Sequence, residues 1–273
     1  MIYEPKGKAR EYSPLAVNLY KGCGHCCSYC YVPGVIKITR NNFDNQVDVK
    51  KDVKMRLTAS ALKYQGTDKQ VLMSFTTDPY NDLNEFMKLT RIALQIFLDH
   101  KIPVAILSKG GTKILQDIDL FRKFGKHIKV GSSLTFLDDK DSRRWERNAA
   151  LPFDRIGTLK TLNKLGIRTW VSLEPVIDPQ QTLNLIDETY QFVDEYQVGK
   201  LNYTKSNIDW SAFIRDAYYK LINYKKEFYI KSDLSFTNPY IYGIAAEKYF
   251  DQDYLVLPPF LKENKNLKLF NNK

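Results

Sequence analysis

The sequence lacks long apolar runs, and it has no cysteine outside one short segment. All four cysteines of the 273-residue chain lie between Cys23 and Cys30. No stretch approaches the roughly 18 uninterrupted apolar residues of a membrane-spanning helix, and MIYEPKGKAREYSP at the N-terminus lacks a signal-like apolar core. We therefore expect a cytoplasmic protein without a membrane partner. Paired disulfides are typical of small secreted scaffolds, so metal ligation is the better interpretation of the cysteines.

The composition describes a globular protein with a basic surface. Internal repeats and low-complexity segments are absent, and 44% hydrophobic with 13% aromatic residues supply a sizeable core. Lys and Arg outnumber Asp and Glu by 41 to 31, which gives a formal net charge of +10. Such a field attracts polyanions, so nucleic acid is the first partner to consider, although a basic balance is often only a solvated surface.

Seven apolar runs with strand character alternate with helical patterns. The runs cover residues 15–20, 71–75, 103–107, 128–134, 168–173, 196–201 and 228–230. This alternation predicts an α/β fold with a mostly parallel sheet, either a whole or partial β/α barrel or an open doubly wound sheet. In both architectures, reactive groups collect at the carboxyl ends of the strands.

Local signals set the expected helix boundaries. A single helix over residues 85–98 would place Phe86, Leu89 and Ala93 on one face. Asp178 has the position of an N-cap, with Pro179 as the first helical residue, and Gly166 follows a helix directly before the fifth run.

Polar residues follow every predicted strand, and as a set they predict a pocket. Any one of them alone is better explained as a helix cap or a turn residue. They are Gly22 and Cys23, Thr76 to Tyr80, Ser108 and Lys109, Ser132, Ser133 and Thr135, Glu174, Asn202 and Tyr203, and Lys231.

The spacing of Cys23, Cys27 and Cys30 favours an iron–sulfur cluster. Three thiolates so close on one loop can hold three corners of an iron–sulfur cube, whereas structural zinc normally takes ligands from two separated knuckles. His25 and Cys26 could complete a local zinc site, but residues adjacent to a ligand generally point away from it. A cube with three cysteine ligands leaves one iron open for a ligand that is not protein.

The C-x3-C-x2-C spacing on the loop after the first strand resembles the radical S-adenosylmethionine (SAM) superfamily. The resemblance implies a partial (β/α) barrel of about six to seven parallel strands over residues 1–235, with 236–273 as a C-terminal extension. More narrowly, GCGHCCSYCY is similar to spore photoproduct lyase and the related DNA repair photolyase-like family. The segments FTTDPYN, ILSKG and VGSSLT agree with that family more loosely.

The resemblance also implies cofactors and site residues. Cys23, Cys27 and Cys30 would ligate a [4Fe–4S] cluster, and Tyr29 would lie beside the adenine of SAM. Lys109 and Ser133 would meet the SAM carboxylate, and Thr76, Thr77 and Asp78 its amine and ribose; a plain turn is the other, less favoured interpretation of Thr76 to Pro79. An electron from an external donor such as flavodoxin or ferredoxin would lead to a 5′-deoxyadenosyl radical that abstracts a substrate hydrogen atom.

The sequence departs from spore photoproduct lyase in one respect. That enzyme returns a hydrogen atom through a cysteine beyond the cluster motif, and this chain has none after Cys30. A relay through Tyr29 and Tyr31 is one alternative, and packing is the other interpretation of Tyr31. Cys26 is most simply a small buried residue.

Two further residues, Glu174 and Lys231, would face the substrate side of the pocket as catalytic candidates. Glu174 precedes a proline at the end of the fifth run, and Lys231 follows the seventh. A carboxylate opposite lysines forms either an ion pair or a contact with SAM or substrate.

Two basic and aromatic segments could serve a nucleic-acid substrate. The helical stripe over residues 210–221 is more economically a core face. SRRWERN, with Arg143, Arg144, Trp145 and Arg147, is the better candidate, predicted as a loop on the rim of the cluster pocket. The alternatives are a nucleic-acid-binding protein with a structural metal or iron–sulfur site, and a radical SAM enzyme acting on a peptide or small metabolite.

Overall fold

The computed structural model describes residues 1–201 and 206–242. Asn202, Tyr203 and the greater part of the predicted extension over 236–273 lie outside the described residues. Within the described residues, no helix is both long enough and apolar enough to cross a membrane.

A seven-stranded parallel sheet forms the centre of the fold and confirms the predicted α/β class. Its order is β1-β4-β5-β6-β7-β8-β9, so the first and last strands are edges and the sheet is a partial barrel. The remaining two strands, β2 and β3, form a small antiparallel pair. The strands are β1 (Leu15–Val17), β2 (Tyr20–Lys21), β3 (Asp48–Val49), β4 (Val71–Met73), β5 (Val104–Ser108), β6 (Ile128–Ser133), β7 (Arg168–Val176), β8 (Glu195–Lys200) and β9 (Glu227–Ile230).

Helices connect the strands of the sheet. They are α1 (Val32–Ile36), α2 (Arg40–Asn45), α3 (Val53–Lys63), α4 (Asp82–Met87), α5 (Leu89–Asp99), α6 (Ile118–Phe124), α7 (Asp139–Trp145), α8 (Pro152–Lys164), α9 (Pro179–Thr189), α10 (Trp210–Asn223) and α11 (Ser232–Ser235). The predicted cap of α9 is confirmed, because the Asp178 carboxylate accepts a hydrogen bond from Gln181 N at 3.0 Å. Gly166 has φ +72°, as a residue after a helix C-terminus requires.

Two predicted elements are each divided in the structure. The helix expected over residues 85–98 is two helices, because Lys88 is left-handed (φ 51°) and buried Asn84 accepts hydrogen bonds from Tyr20 and Thr90. Phe86 is 81% exposed and not on the core face. The first strand ends at Val17, because the Asn18 side chain accepts hydrogen bonds from two backbone N–H groups beyond β4.

The core has two large clusters outside the sheet and a smaller one inside it. The inner cluster joins Tyr12 to side chains from β1, β4, β5 and β7: Ala16, Leu72, Ala105 and Trp170. Side chains from non-neighbouring strands can meet only on the concave face, so this cluster fills the barrel. Phe213, Ala217, Tyr218 and Leu221 of α10 are buried in an outer cluster, which confirms the core-face interpretation of that stripe.

The amino-terminal end of the barrel is closed by charge as well as by apolar packing. Lys129 Nζ lies 2.7 and 2.9 Å from the two carboxylate oxygens of Glu195, and both residues are buried. Trp170 lies above this pair, with its indole N–H donated to Ile106 O at 2.8 Å. The space inside the barrel therefore opens at the carboxyl ends of the strands.

Candidate active site

A cavity of about 560 Å³ occupies the carboxyl edge of the sheet. This volume suits a cofactor-sized ligand. All twelve predicted site residues line it: Cys23, Cys27, Tyr29, Cys30, Tyr31, Thr76, Thr77, Asp78, Lys109, Ser133, Glu174 and Lys231. Residues far apart in sequence are thus brought together, while their individual roles remain predictions.

The cysteine loop presents three of its four thiols to this cavity. Cys26 does not line it: the residue is left-handed (φ 53°), and its Sγ lies 3.3 Å from both Gly24 O and Asn148 Nδ2. Burial raises the pKa of Cys27 to about 12 and raises that of Cys23 as well. Thiolates in this cavity need a compensating positive charge, which the irons of a cluster bring.

Backbone hydrogen bonds fix the loop to neighbouring elements. Cys23 N donates to Phe43 O at 2.9 Å, and the Thr77 hydroxyl donates to Gly22 O at 2.6 Å. Gly22 has φ +70°, and a Cβ there would lie 2.7 Å from Gln46 O, so only glycine fits this position. Contacts within the protein therefore hold the loop in this geometry.

Asp78 anchors the loop from the side of β4. Its Oδ1 accepts from Tyr80 N at 2.8 Å and Ser108 Oγ at 2.7 Å, and its Oδ2 accepts from Lys109 N at 2.7 Å. His25 Nε2 lies 2.9 Å from the same Oδ2. Burial alone would raise the pKa of Asp78, but these partners, led by His25, lower it to about 2. Its acceptor positions are occupied by protein, so the geometry favours anchoring over the predicted SAM contact.

A second buried carboxylate, Glu146, was not identified from the sequence. It accepts a hydrogen bond from the Tyr29 hydroxyl and another from Arg155 Nη2 at 2.6 Å. Lys109 Nζ lies 3.7 Å from Glu146 Oε1 and 5.7 Å from the centre of the Tyr29 ring. Burial opposes ionisation, yet Arg155 and Lys109 lower the pKa of Glu146 to about 2. Glu146 therefore holds Tyr29 and Lys109 on the cavity wall.

The interpretation of SRRWERN as a loop lining the pocket is wrong, although Trp145 and Asn148 do hydrogen-bond to the backbone of the cysteine loop. Residues Asp139–Trp145 form α7, and no residue of 142–148 lines the cavity. Arg143 Nη1 donates to the carbonyls of Arg147 and Ala149 at 3.1 and 3.2 Å, so it closes the turn after the helix. Glu146, which belongs to the same segment, does not line the cavity either, but it contacts the lining residues Tyr29 and Lys109.

The wall opposite the cysteines holds Glu174 and Lys231 as an ion pair. Lys231 Nζ lies 3.1 Å from each Glu174 oxygen and 4.8 Å from the centre of the Tyr12 ring. The Tyr12 hydroxyl donates to Glu174 and lies 2.8 Å from Ser172 Oγ. Of the two readings of Glu174, the ion pair is present, and Tyr12 joins it without any signal in the local sequence.

The comparison with protein families decides the wider relationship, because the model of the radical SAM superfamily matches residues 17–193. The chain belongs to the radical SAM superfamily. An uncharacterised protein of Methanocaldococcus jannaschii is 28% identical over 217 residues, which are 78% of this chain and 80% of the relative. This relative adds no named activity.

Solved radical SAM structures share the fold of this chain. A variant of spore photoproduct lyase has a TM-score of 0.66 at 10% identity, covering 85% of this chain and 78% of the lyase. SuiB of Streptococcus suis, bound to S-adenosylmethionine, has a TM-score of 0.61 at 16% identity and covers 87% of this chain. This chain spans 53% of SuiB. Identities this low show the fold alone.

The cofactors of this family are a [4Fe–4S] cluster and SAM. The residues present fit them, because three thiols and the Lys109 cation line one cavity, while Cys26 does not. In the described residues, no three His, Cys, Asp or Glu side chains are grouped to hold a single metal ion.

Proposed function

We propose that Cys23, Cys27 and Cys30 ligate the cluster and that Lys109 and Ser133 bind the SAM carboxylate. The observation that carries this proposal is the separation of Cys26 from the other three cysteines, which share the cavity with Lys109. A lysine ammonium suits a carboxylate, and the neighbouring Glu146 keeps it oriented along the wall. Tyr29, held by Glu146, offers a ring for the adenine.

When bound, the cluster and SAM supply reductive cleavage of SAM and a 5′-deoxyadenosyl radical that abstracts a hydrogen atom from substrate. The chain's own residues bind, orient and exclude water. Tyr12, Ser133 and Lys231 are buried in the wall, and the Glu174–Lys231 pair faces the cavity opposite the cysteines. This pair would position the substrate. The electron would come from an external donor such as flavodoxin or ferredoxin.

Nucleic acid is the substrate class that we propose. The net charge of +10 supports it, and so does the likeness to spore photoproduct lyase, one variant of which was solved with a dinucleoside spore photoproduct. The cavity mouth carries Lys6 and Lys8 together with Tyr3 and Tyr31, which are 37% and 44% exposed. Exposed aromatic rings beside cations suit an unstacked base with its phosphates.

With no cysteine after Cys30, the returned hydrogen atom would come from a tyrosine such as Tyr31, from 5′-deoxyadenosine or from an external thiol.

The test compares Cys27→Ala with Cys26→Ala after anaerobic reconstitution. We expect the parent and Cys26→Ala to hold a [4Fe–4S] cluster and to form 5′-deoxyadenosine from SAM with dithionite. Cys27→Ala should lose both properties and keep the folded β/α core, measured by circular dichroism. A colourless parent that binds zinc, or a Cys26→Ala variant as deficient as Cys27→Ala, would contradict the proposal.

A further inference from the structure

The guanidinium of Arg40 is bound to the backbone of two predicted cluster ligands. Arg40 is the first residue of α2, after the N-cap Thr39. Its Nη1 donates to Cys30 O at 3.1 Å, and its Nη2 donates to Cys27 O. One planar side chain thus spans both ends of the Cys27–Cys30 segment.

The Cys27 carbonyl is the centre of this arrangement. It also accepts a hydrogen bond from Cys30 N at 3.0 Å, which closes the tight turn between the two cysteines. Arg40 therefore fastens a turn that the backbone already forms, and fixes its position relative to α2. Lysine could not do the same, because its single ammonium does not offer two parallel donors.

The charge around this contact is balanced by an acidic residue on the same helix. Arg40 Nε lies 2.8 Å from Asp44 Oδ2, one turn along α2. The other oxygen, Asp44 Oδ1, is buried and has no hydrogen-bond partner in the described residues. A permanent cation thus lies against the cysteine backbone, and the anion that offsets it is paired with its Nε.

We propose that Arg40 is a positioning residue that fastens the Cys27–Cys30 turn and, together with Asp44, sets the reduction potential of the cluster. This inference rests on the proposed function, since it takes Cys27 and Cys30 as ligands. Reduction adds negative charge to the cluster, so the guanidinium favours the reduced form and the Asp44 carboxylate disfavours it. Charge and hydrogen bonds beyond the ligands are established means of tuning such clusters.

The experiment is a redox titration of the reconstituted protein, followed by electron paramagnetic resonance. Arg40→Gln keeps polar atoms and removes the charge, and Asp44→Asn removes the opposite charge. At a fixed potential near the midpoint, Arg40→Gln should lower the ratio of reduced to oxidised cluster about tenfold, which equals 59 mV for one electron. Asp44→Asn should raise that ratio. Lys37→Gln is the matched control, because Lys37 is exposed and has no side-chain partner in the described residues.

A second measurement tests the fastening without the cluster. In the apo protein, we expect maleimide to alkylate Cys27 and Cys30 faster in Arg40→Gln and Arg40→Lys than in Lys37→Gln, with Cys26 unchanged. If Arg40→Gln failed to hold iron, the alkylation rates would still test the fastening, and the titration of Asp44→Asn would still test the effect of charge on the potential. Potentials equal to that of Lys37→Gln, or shifts of one sign for Arg40→Gln and Asp44→Asn, would overturn the proposal, as would unchanged alkylation.

These outcomes are distinct from failure of the proposed function. A parent protein that holds no [4Fe–4S] cluster would end the proposed function, and with it the assignment of a potential to Arg40. Unchanged potentials and alkylation in a parent that cleaves SAM would end only the role of Arg40.

Discussion

His25 Nε2 lies 2.9 Å from Asp78 Oδ2, which links the cysteine loop to the segment after β4. Both residues are more than nine-tenths buried. The contact explains why a histidine stands between two predicted cluster ligands without being one of them. It also supports a role for Asp78 in the protein scaffold, because the same carboxylate holds the backbone of Tyr80 and Lys109.

The first prediction tests this link in the apo protein. Asp78→Asn and His25→Ala should each lower the free energy of unfolding, and a double-mutant cycle should give a coupling of about 0.5–3 kcal/mol because the two groups are in contact. Urea denaturation is the measurement. Thr76→Ala is the control, with an expected change within about 0.5 kcal/mol. If Asp78 served only SAM, Asp78→Asn would leave the apo protein as stable as the parent.

The second prediction concerns the buried pair of Glu146 and Arg155. Their side chains are 0% and 1% exposed, so Glu146→Gln leaves an uncompensated guanidinium inside the protein. We expect a loss of about 3–5 kcal/mol in the free energy of unfolding. Glu188→Gln, at an exposed position of α9, should change it by less than about 0.5 kcal/mol. Equal stability of the two variants in urea would contradict a structural role for Glu146.

The sheet could be predicted from the sequence because of how parallel strands are buried. Strands covered on both faces are continuous apolar runs, and each of the seven predicted runs overlaps one strand of the sheet. The spacing of Cys23, Cys27 and Cys30 was informative for a similar reason, since ligands on one loop are close in sequence. Sequence patterns therefore predict those features whose residues lie close together in the chain.

The features that the sequence did not predict depend on contacts between residues that are far apart in the chain. Tyr29 reaches Glu146 across 117 positions, and Tyr12 reaches Ser172 across 160. No periodicity or spacing marks such partners, so Glu146 and Tyr12 went unrecognised. The prediction of one helix over residues 85–98 is wrong for the same reason, because the break at Lys88 depends on the hydrogen bond that Asn84 accepts from distant Tyr20.

The third prediction uses two glycines with opposite surroundings. A Cβ at Gly131 on β6 would lie 2.5 Å from Trp170 Nε1 and 2.6 Å from Trp170 O, inside the barrel. Gly131→Ala should therefore cost about 1–3 kcal/mol through overpacking. Gly157 lies within α8 and has open space where a Cβ would be, so Gly157→Ala should stabilise by up to about 1 kcal/mol. Urea midpoints moving in the same direction would refute the packing argument.

The fourth prediction locates nucleic-acid binding at the cavity mouth. Lys6 is exposed, lines the cavity and has no side-chain partner in the described residues, whereas Lys8 is paired with Asp233 at 2.6 Å. Each phosphate neutralised by a cation contributes about −0.9 to the slope of log K against log salt. Lys6→Gln should therefore weaken binding of a single-stranded oligonucleotide at low salt and flatten this slope by about 1, measured by fluorescence anisotropy.

Variants of Tyr31 and of Arg144 in α7 are measured in the same binding assay. Tyr31→Ala removes a stacking ring and should cost about 1–3 kcal/mol of binding free energy with an unchanged salt slope. Arg144→Gln is the matched control for Lys6→Gln, because Arg144 is exposed but lies outside the cavity lining. A slope flattened by Arg144→Gln and not by Lys6→Gln would move the phosphate contacts to α7. Binding that is undetectable or independent of salt would remove nucleic acid as the substrate class and leave the family assignment unchanged.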